Sequence, residues 1–162
     1  MKTPASIGKH PIHPMLVVFP IGLWIFSFIS DLIFLLGENL LWNHIAFYAM
    51  LGGLIGALLA AVPGLIDMFS ITNPEVGKVA WNHMLLNLVA LVVFGIDLYL
   101  RTVLETDAFI PILLSGFGVL LLAFSGWLGG ELAYVHGVGV QQPGQITEKD
   151  KKYNKLRRAG ER

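Results

Sequence analysis

The residues best suited to chemistry in this sequence are histidines and carboxylates at the ends of long apolar stretches. The run His10-Pro11-Ile12-His13-Pro14 places two imidazoles in a stiff lead-in. Proline fixes φ and pushes its predecessor toward extended backbone. His10 and His13 are therefore expected just ahead of a helix, with Pro14 at its first position. Imidazole is a common ligand of zinc, copper and haem iron, and a carboxylate or carbonyl behind it would fix its tautomer. Further groups of the same kind are Asp67, His83, Glu131 and His136.

Composition says what must hold these groups. The chain has 162 residues, 55% hydrophobic and only 14% charged, with mean hydropathy +0.68. Soluble domains carry roughly 25% charged residues, so a soluble enzyme is excluded and an integral membrane protein is indicated. Residues 148–162 alone hold ten charged side chains, seven of them Lys or Arg. Net charge is zero because this basic tail offsets an acidic body. Such a tail suits an anionic membrane surface, and no nucleic-acid partner is expected. With no cysteines, disulfides, thiolate metal sites and covalent c-type haem attachment are all excluded. No small-residue cleavage site follows the opening residues, so a signal peptide is not expected.

About 20 helical residues cross the roughly 30 Å of bilayer hydrocarbon. Four stretches are long enough: Pro14–Leu36, Asn43–Met68, Val79–Leu100 and Phe109–Val135. Open strands are excluded in lipid and no period-two alternation is present, so these are expected to be helices. The fold class is all-α, an integral membrane four-helix bundle. It comprises a His-containing extended segment (1–13), a four-span membrane domain (14–136) and a charged cytoplasmic tail (137–162).

Lys2, Lys9, Lys78 and the tail lie on one side of that topology, and Arg101 stands alone on the other. The positive-inside rule then puts both termini in the cytoplasm, in a bacterial inner membrane if the family resemblance below holds. It also sorts the polar groups. His10, His13, Asp67, His83, Glu131 and His136 gather at the cytoplasmic end, and Asp31, His44, Asp97 and Arg101 at the other. Ionisable groups inside a membrane are costly and need partners or water. For several of them a structural role is sufficient. His44 reads as an interfacial headgroup contact, Asp31 and Asp97 as acceptors from neighbouring helices or partners of Arg101, and Asn87 as an interhelical hydrogen-bonding residue.

The halves of the chain resemble each other. His13-Pro-Met15-Leu16 parallels His83-Met84-Leu85, Phe28-Ile-Ser-Asp31-Leu32 parallels Phe94-Gly-Ile-Asp97-Leu98, and Ala61-Val-Pro-Gly64 parallels Ala123-Phe-Ser-Gly126. A duplicated helical hairpin would put a pseudo-twofold axis along the membrane normal. Gly52, Gly53 and Gly56, and again Gly126, Gly129 and Gly130, are small-residue faces suited to close helix packing.

His10-Pro-Ile-His13-Pro-Met-Leu-Val-Val-Phe-Pro-Ile-Gly-Leu23, Pro63-Gly64-Leu65-Ile66-Asp67, Asn82-His83 and Gly126-Trp-Leu-Gly-Gly-Glu131-Leu-Ala-Tyr-Val-His136-Gly-Val-Gly-Val140 resemble, in order, a bacterial family of small membrane proteins of unknown function (domain of unknown function 2231). The resemblance covers about residues 8–140 and implies four spans but no settled activity. Some members carry an appended Rieske-type iron–sulfur domain, which would favour redox work. No cysteines are present here to build one. The motif positions it carries are His10, His13, Asp67, His83, Glu131 and His136.

The leading expectation is a membrane electron-transfer protein with b-type haem at the cytoplasmic end of the bundle. Haem b needs no covalent attachment, and two imidazoles on facing helices can hold the iron. If the repeat holds, His13 and His83 are equivalents and form the axial pair, with Met15 and Met84 as substitutes. His10 and His136 would then serve propionates or a second metal, with Asp67 and Glu131 behind them. A zinc, iron or copper ion held by some of His10, His13, His83, His136, Glu131 and Asp67 is the variant, as is no cofactor at all. Proton, ion or small-solute transport is a second class, for which four spans would need a homodimer or water along the axis. A non-catalytic membrane subunit or scaffold is the third. A redox partner or quinone would accompany the first reading, although no residue identifies a quinone site. No serine nucleophile arrangement, phosphate loop or nucleotide fingerprint is present. Whether the chain is an enzyme stays open at this point.

Overall fold

The computed structural model describes residues 3–8, 10–104 and 109–140; the charged tail and the connection at 105–108 lie outside them. A two-residue antiparallel ladder opens the chain, β1 (Ser6–Ile7) against β2 (His10–Pro11). Helices α1 (Ile12–Leu16), α2 (Val18–Gly37), α3 (Leu40–Phe69), α4 (Pro74–Val103) and α5 (Phe109–Gly130) follow, and a π-helical turn (Glu131–Val135) extends α5. Four helical segments, Ile12–Gly37, Leu40–Phe69, Pro74–Val103 and Phe109–Val135, are long and apolar enough to cross a membrane. The expected spans are all present, with the second and third longer at both ends than the apolar runs suggest.

Local chemistry accounts for the boundaries. Pro20 has no N–H to offer the Leu16 carbonyl, and the helix is interrupted at Val17, between α1 and α2. Glu38 takes a left-handed conformation, φ 52°, while its N–H bonds Phe34 O at 2.8 Å. That reversal lets Asn39 cap α3 by accepting from Leu41 N–H at 3.0 Å. Asn73 caps α4, accepting from Glu75 N–H at 2.9 Å, with Pro74 next in the position where a missing N–H costs nothing.

The helices pack in a ring, α2 beside α3, α3 beside α4, α4 beside α5, and α5 closing against α2. At the centre lie Trp24, Met50, Ala90, Phe94 and Leu122. Trp24 and Phe94 stack across the diagonal with centroids 4.1 Å apart and planes 15° from parallel. The stack depends on glycine. A Cβ on Gly53 would come within 2.5 Å of the Trp24 ring, and one on Gly118 within 2.5 Å of the Phe94 ring. Lipid supplies no hydrophobic force between helices, so this close approach is how the bundle gains dispersion energy.

Of the two expected glycine faces, the first holds. Gly52, Gly53 and Gly56 meet Leu23, Trp24 and Pro20 of α2. The second is only partly used. Gly129 meets His83, but a Cβ on Gly126 or Gly130 would meet nothing within 4 Å; the close contacts of α5 are instead at Gly116 and Gly118.

Candidate functional site

His13 and His83 meet at the end of the bundle where α1 and α4 begin. Their ring centroids are 6.4 Å apart and their planes stand at 85°. Contrary to expectation, His13 is not ahead of the helix but within α1, and Pro14 is its third residue. The first-turn N–H groups have no intrahelical acceptor, so proline is tolerated there. The extended segment ends at Pro11, and Ile12 N–H turns back to Ala5 O at 2.9 Å.

Both rings are held in the same way. His13 Nδ1 lies 2.8 Å from Ala60 O of α3, and His83 Nδ1 lies 2.9 Å from Ser125 O of α5. A carbonyl can only accept, so each Nδ1 carries the proton and each Nε2 is the basic nitrogen. Four residues beyond each carbonyl is a glycine. A Cβ on Gly64 would sit 2.7 Å from His13 Nδ1, and one on Gly129 would sit 3.2 Å from His83 Cε1. The missing side chains are what allow an imidazole to reach a carbonyl already inside a helix. Ser125 Oγ adds a contact at 3.1 Å to His83 Nδ1.

The two basic nitrogens differ in their surroundings. Asn87 Nδ2 lies 3.1 Å from His83 Nε2 and donates to His83 O at 2.8 Å. Asn87 therefore bonds within its own helix, one turn on, and not between helices as expected. His13 Nε2 has no hydrogen-bond partner among the described residues.

The remaining candidates stand apart from this pair. Asp67 Oδ1 accepts from Ala5 N–H at 2.9 Å, fastening the N-terminal segment to the end of α3. His136 Nε2 and Glu131 Oε1 face each other at 3.6 Å beyond α5. His10, on β2, is exposed. Among the described residues, no three His, Cys, Asp or Glu side chains gather into a group that could hold a metal ion.

A second polar centre occupies the other end of the bundle. Arg101 spans both buried aspartates, Nη1 and Nη2 reaching Asp31 at 2.7 and 2.6 Å and Nε reaching Asp97 at 3.0 Å. Side-chain exposure is 5% for Arg101, 2% for Asp31 and 0% for Asp97. The expected pairing of the aspartates with Arg101 is thus found. Ser115, which sequence reasoning passed over, sits between the carboxylates, 2.9 Å from Asp31 Oδ2 and 2.7 Å from Asp97 Oδ2. Exposed His44 is not part of this centre.

The contacts across the diagonal follow one register. His13 meets His83, Trp24 meets Phe94 and Asp31 meets Arg101, each pair 70 positions apart in sequence. On the flanking helices Ala60 corresponds to Ser125, Gly53 to Gly118 and Gly64 to Gly129, each 65 positions apart. The match of Asp31 with Asp97, and that of Gly64 with Gly126, are therefore out of register, whereas that of His13 with His83 is in register.

Four long apolar helices with a half-buried histidine pair at one end and a buried arginine–aspartate centre at the other define a four-span helical membrane protein. The chain belongs to the DUF2231 family, described as a predicted membrane protein, which matches residues 9–142. No curated protein and no solved structure matches it.

Proposed function

We propose that this protein binds a b-type haem between His13 and His83 and passes electrons within the membrane. The observation that carries this reading is the number and preparation of the imidazoles. Two converge, each with Nδ1–H on a backbone carbonyl and Nε2 as the basic nitrogen. That is the arrangement in which outer hydrogen bonds orient a histidine ligand and raise its basicity. A haem iron takes its equatorial ligands from the porphyrin and needs only two from the protein. A bare zinc ion in a structural site needs four ligands, which the described residues do not assemble. When bound, the haem would supply one-electron chemistry. The chain's part would be to offer His13 Nε2 and His83 Nε2 as ligands, with Asn87 giving up its contact with His83 Nε2.

On this reading the bilayer is the first partner, and a quinone or a redox protein the second. The distribution of Lys and Arg supports both termini, and the histidine end, facing the cytoplasm, and the family resemblance supports a bacterial inner membrane. The register of 70 and 65 residues supports a duplicated helical hairpin.

Absorption spectra of the detergent-purified protein, oxidised and then reduced with dithionite, test the proposal. A reduced b-type spectrum is expected in the wild type, and its loss in both His13→Ala and His83→Ala. A colourless protein from cells supplied with haem would refute it and return the function to transport or to a non-catalytic subunit.

A further inference from the structure

The centre formed by Asp31, Asp97, Arg101 and Ser115 does not close as a set of hydrogen bonds unless one more proton is present. Ser115 Oγ has one hydrogen and two lone pairs. It accepts from Arg101 Nη2 at 2.9 Å, which uses one lone pair. It also lies 2.9 Å from Asp31 Oδ2 and 2.7 Å from Asp97 Oδ2. Its single hydrogen serves one of these oxygens, and the other then faces the hydroxyl oxygen at hydrogen-bond distance with no hydrogen between them. Two acceptors do not stay at that distance in a dry interior. Charge gives the same answer. Two carboxylates and one guanidinium leave a net negative charge among side chains with 5% exposure or less, which a membrane interior disfavours.

We propose that Asp97 binds a proton at neutral pH, making this end of the bundle a buried proton site. Asp31 is the ionised partner, because it takes the short paired bonds of 2.7 and 2.6 Å from Arg101 Nη1 and Nη2. Asp97 has a weaker hold, 3.0 Å from Nε and 3.5 Å from Nη2. With the proton on Asp97 Oδ2, that oxygen donates to Ser115, Ser115 donates to Asp31 Oδ2, and Arg101 Nη2 donates to both Asp31 and Ser115. Each oxygen of Asp31, Asp97 and Ser115 then has a hydrogen-bond partner of the right kind, and the centre is neutral. No other described ionisable group reaches it. On α2 and α5 Asp31 is the sole ionisable residue. His44 and Tyr48 of α3, Tyr99 of α4 and Glu38 at the end of α2 are all exposed.

Infrared absorption of the full chain in lipid bilayers at neutral pH tests this, with aspartate carboxyl carbon-13 labelling and exchange into D2O. One protonated-carboxyl band per chain is expected, moved by the label and by deuterium, and lost in Asp97→Asn. Ser115→Ala keeps every charge, so there the band should persist at a higher frequency, the acid having lost its acceptor. Absence of the band in the folded wild type would overturn the proposal. So would a band that survives Asp97→Asn, or one unmoved in Ser115→Ala, the variant that decides the matter should Asp97→Asn fail to fold.

Discussion

His13 and His83 lie at right angles across the bundle, each fastened through Nδ1 to a carbonyl one helical turn before a glycine. The glycine is part of the imidazole site although it touches no ligand. Gly64→Ala puts a methyl 2.7 Å from His13 Nδ1, whereas in Gly129→Ala the nearest ring atom is 3.2 Å away. On the haem proposal, haem content after purification is expected to fall strongly in the first and slightly in the second. Equal retention in both would mean that His13 does not need its carbonyl.

The central stack makes a parallel demand. Gly53→Ala and Gly118→Ala each force a methyl to 2.5 Å from an aromatic ring, and overpacking of this kind costs about 1–3 kcal/mol. Thermal unfolding in detergent should show that loss for both. Gly126→Ala, which meets nothing within 4 Å, should be neutral or slightly stabilising, since alanine is the better helix former.

Arg101→Gln removes the cation and leaves the buried Asp31 carboxylate unpaired beside protonated Asp97, for which about 3–5 kcal/mol of destabilisation is expected. The effect should depend on pH with a definite sign. Protonating Asp31 as well removes the orphaned charge, so the variant regains stability as pH falls. Unfolding curves at neutral and mildly acidic pH check this, and a variant equally unstable at both would point to lost packing and not to charge.

Asp67 should act on the N-terminal segment alone. Asp67→Ala leaves Ala5 N–H without its acceptor at 2.9 Å, an unmade bond worth about 1–3 kcal/mol locally. Faster amide exchange and proteolysis are expected around residues 3–11, with the His13–His83 end of the bundle unaffected. Asp67→Asn keeps a carbonyl oxygen and should behave as the wild type.

Much of this architecture is legible in the sequence because lipid is a simple solvent. Length and hydropathy place four helices, and the Asn73-Pro74 step marks where α4 starts. The division of polar groups between two ends follows from topology. What hydropathy cannot reveal is azimuth. His10, His13, His83 and His136 share an end of the bundle, but only His13 and His83 lie on inward faces that meet. Ser115 reads as one small residue among apolar ones, and nothing local marks it as the link between two carboxylates. The repeat held the missing signal. Carrying the register of His13 and His83 forward by 18 residues pairs Asp31 with Arg101, whereas matching aspartate to aspartate obscures it.

That register has a consequence for how the halves can assemble. Positions related by the repeat face each other across the diagonal, so two identical hairpins would set Asp31 against its own copy, or Arg101 against its own copy, in a dry interior. The first arrangement buries a pair of carboxylates with no cation, whereas in the second each Arg101 keeps Asp97 of its own helix as a partner, as at 3.0 Å here. The ion pair of Asp31 with Arg101, at 2.6 Å, therefore makes the hairpins non-interchangeable. The chain is built as a fused heterodimer, in which the first half depends on the second for its counter-charge.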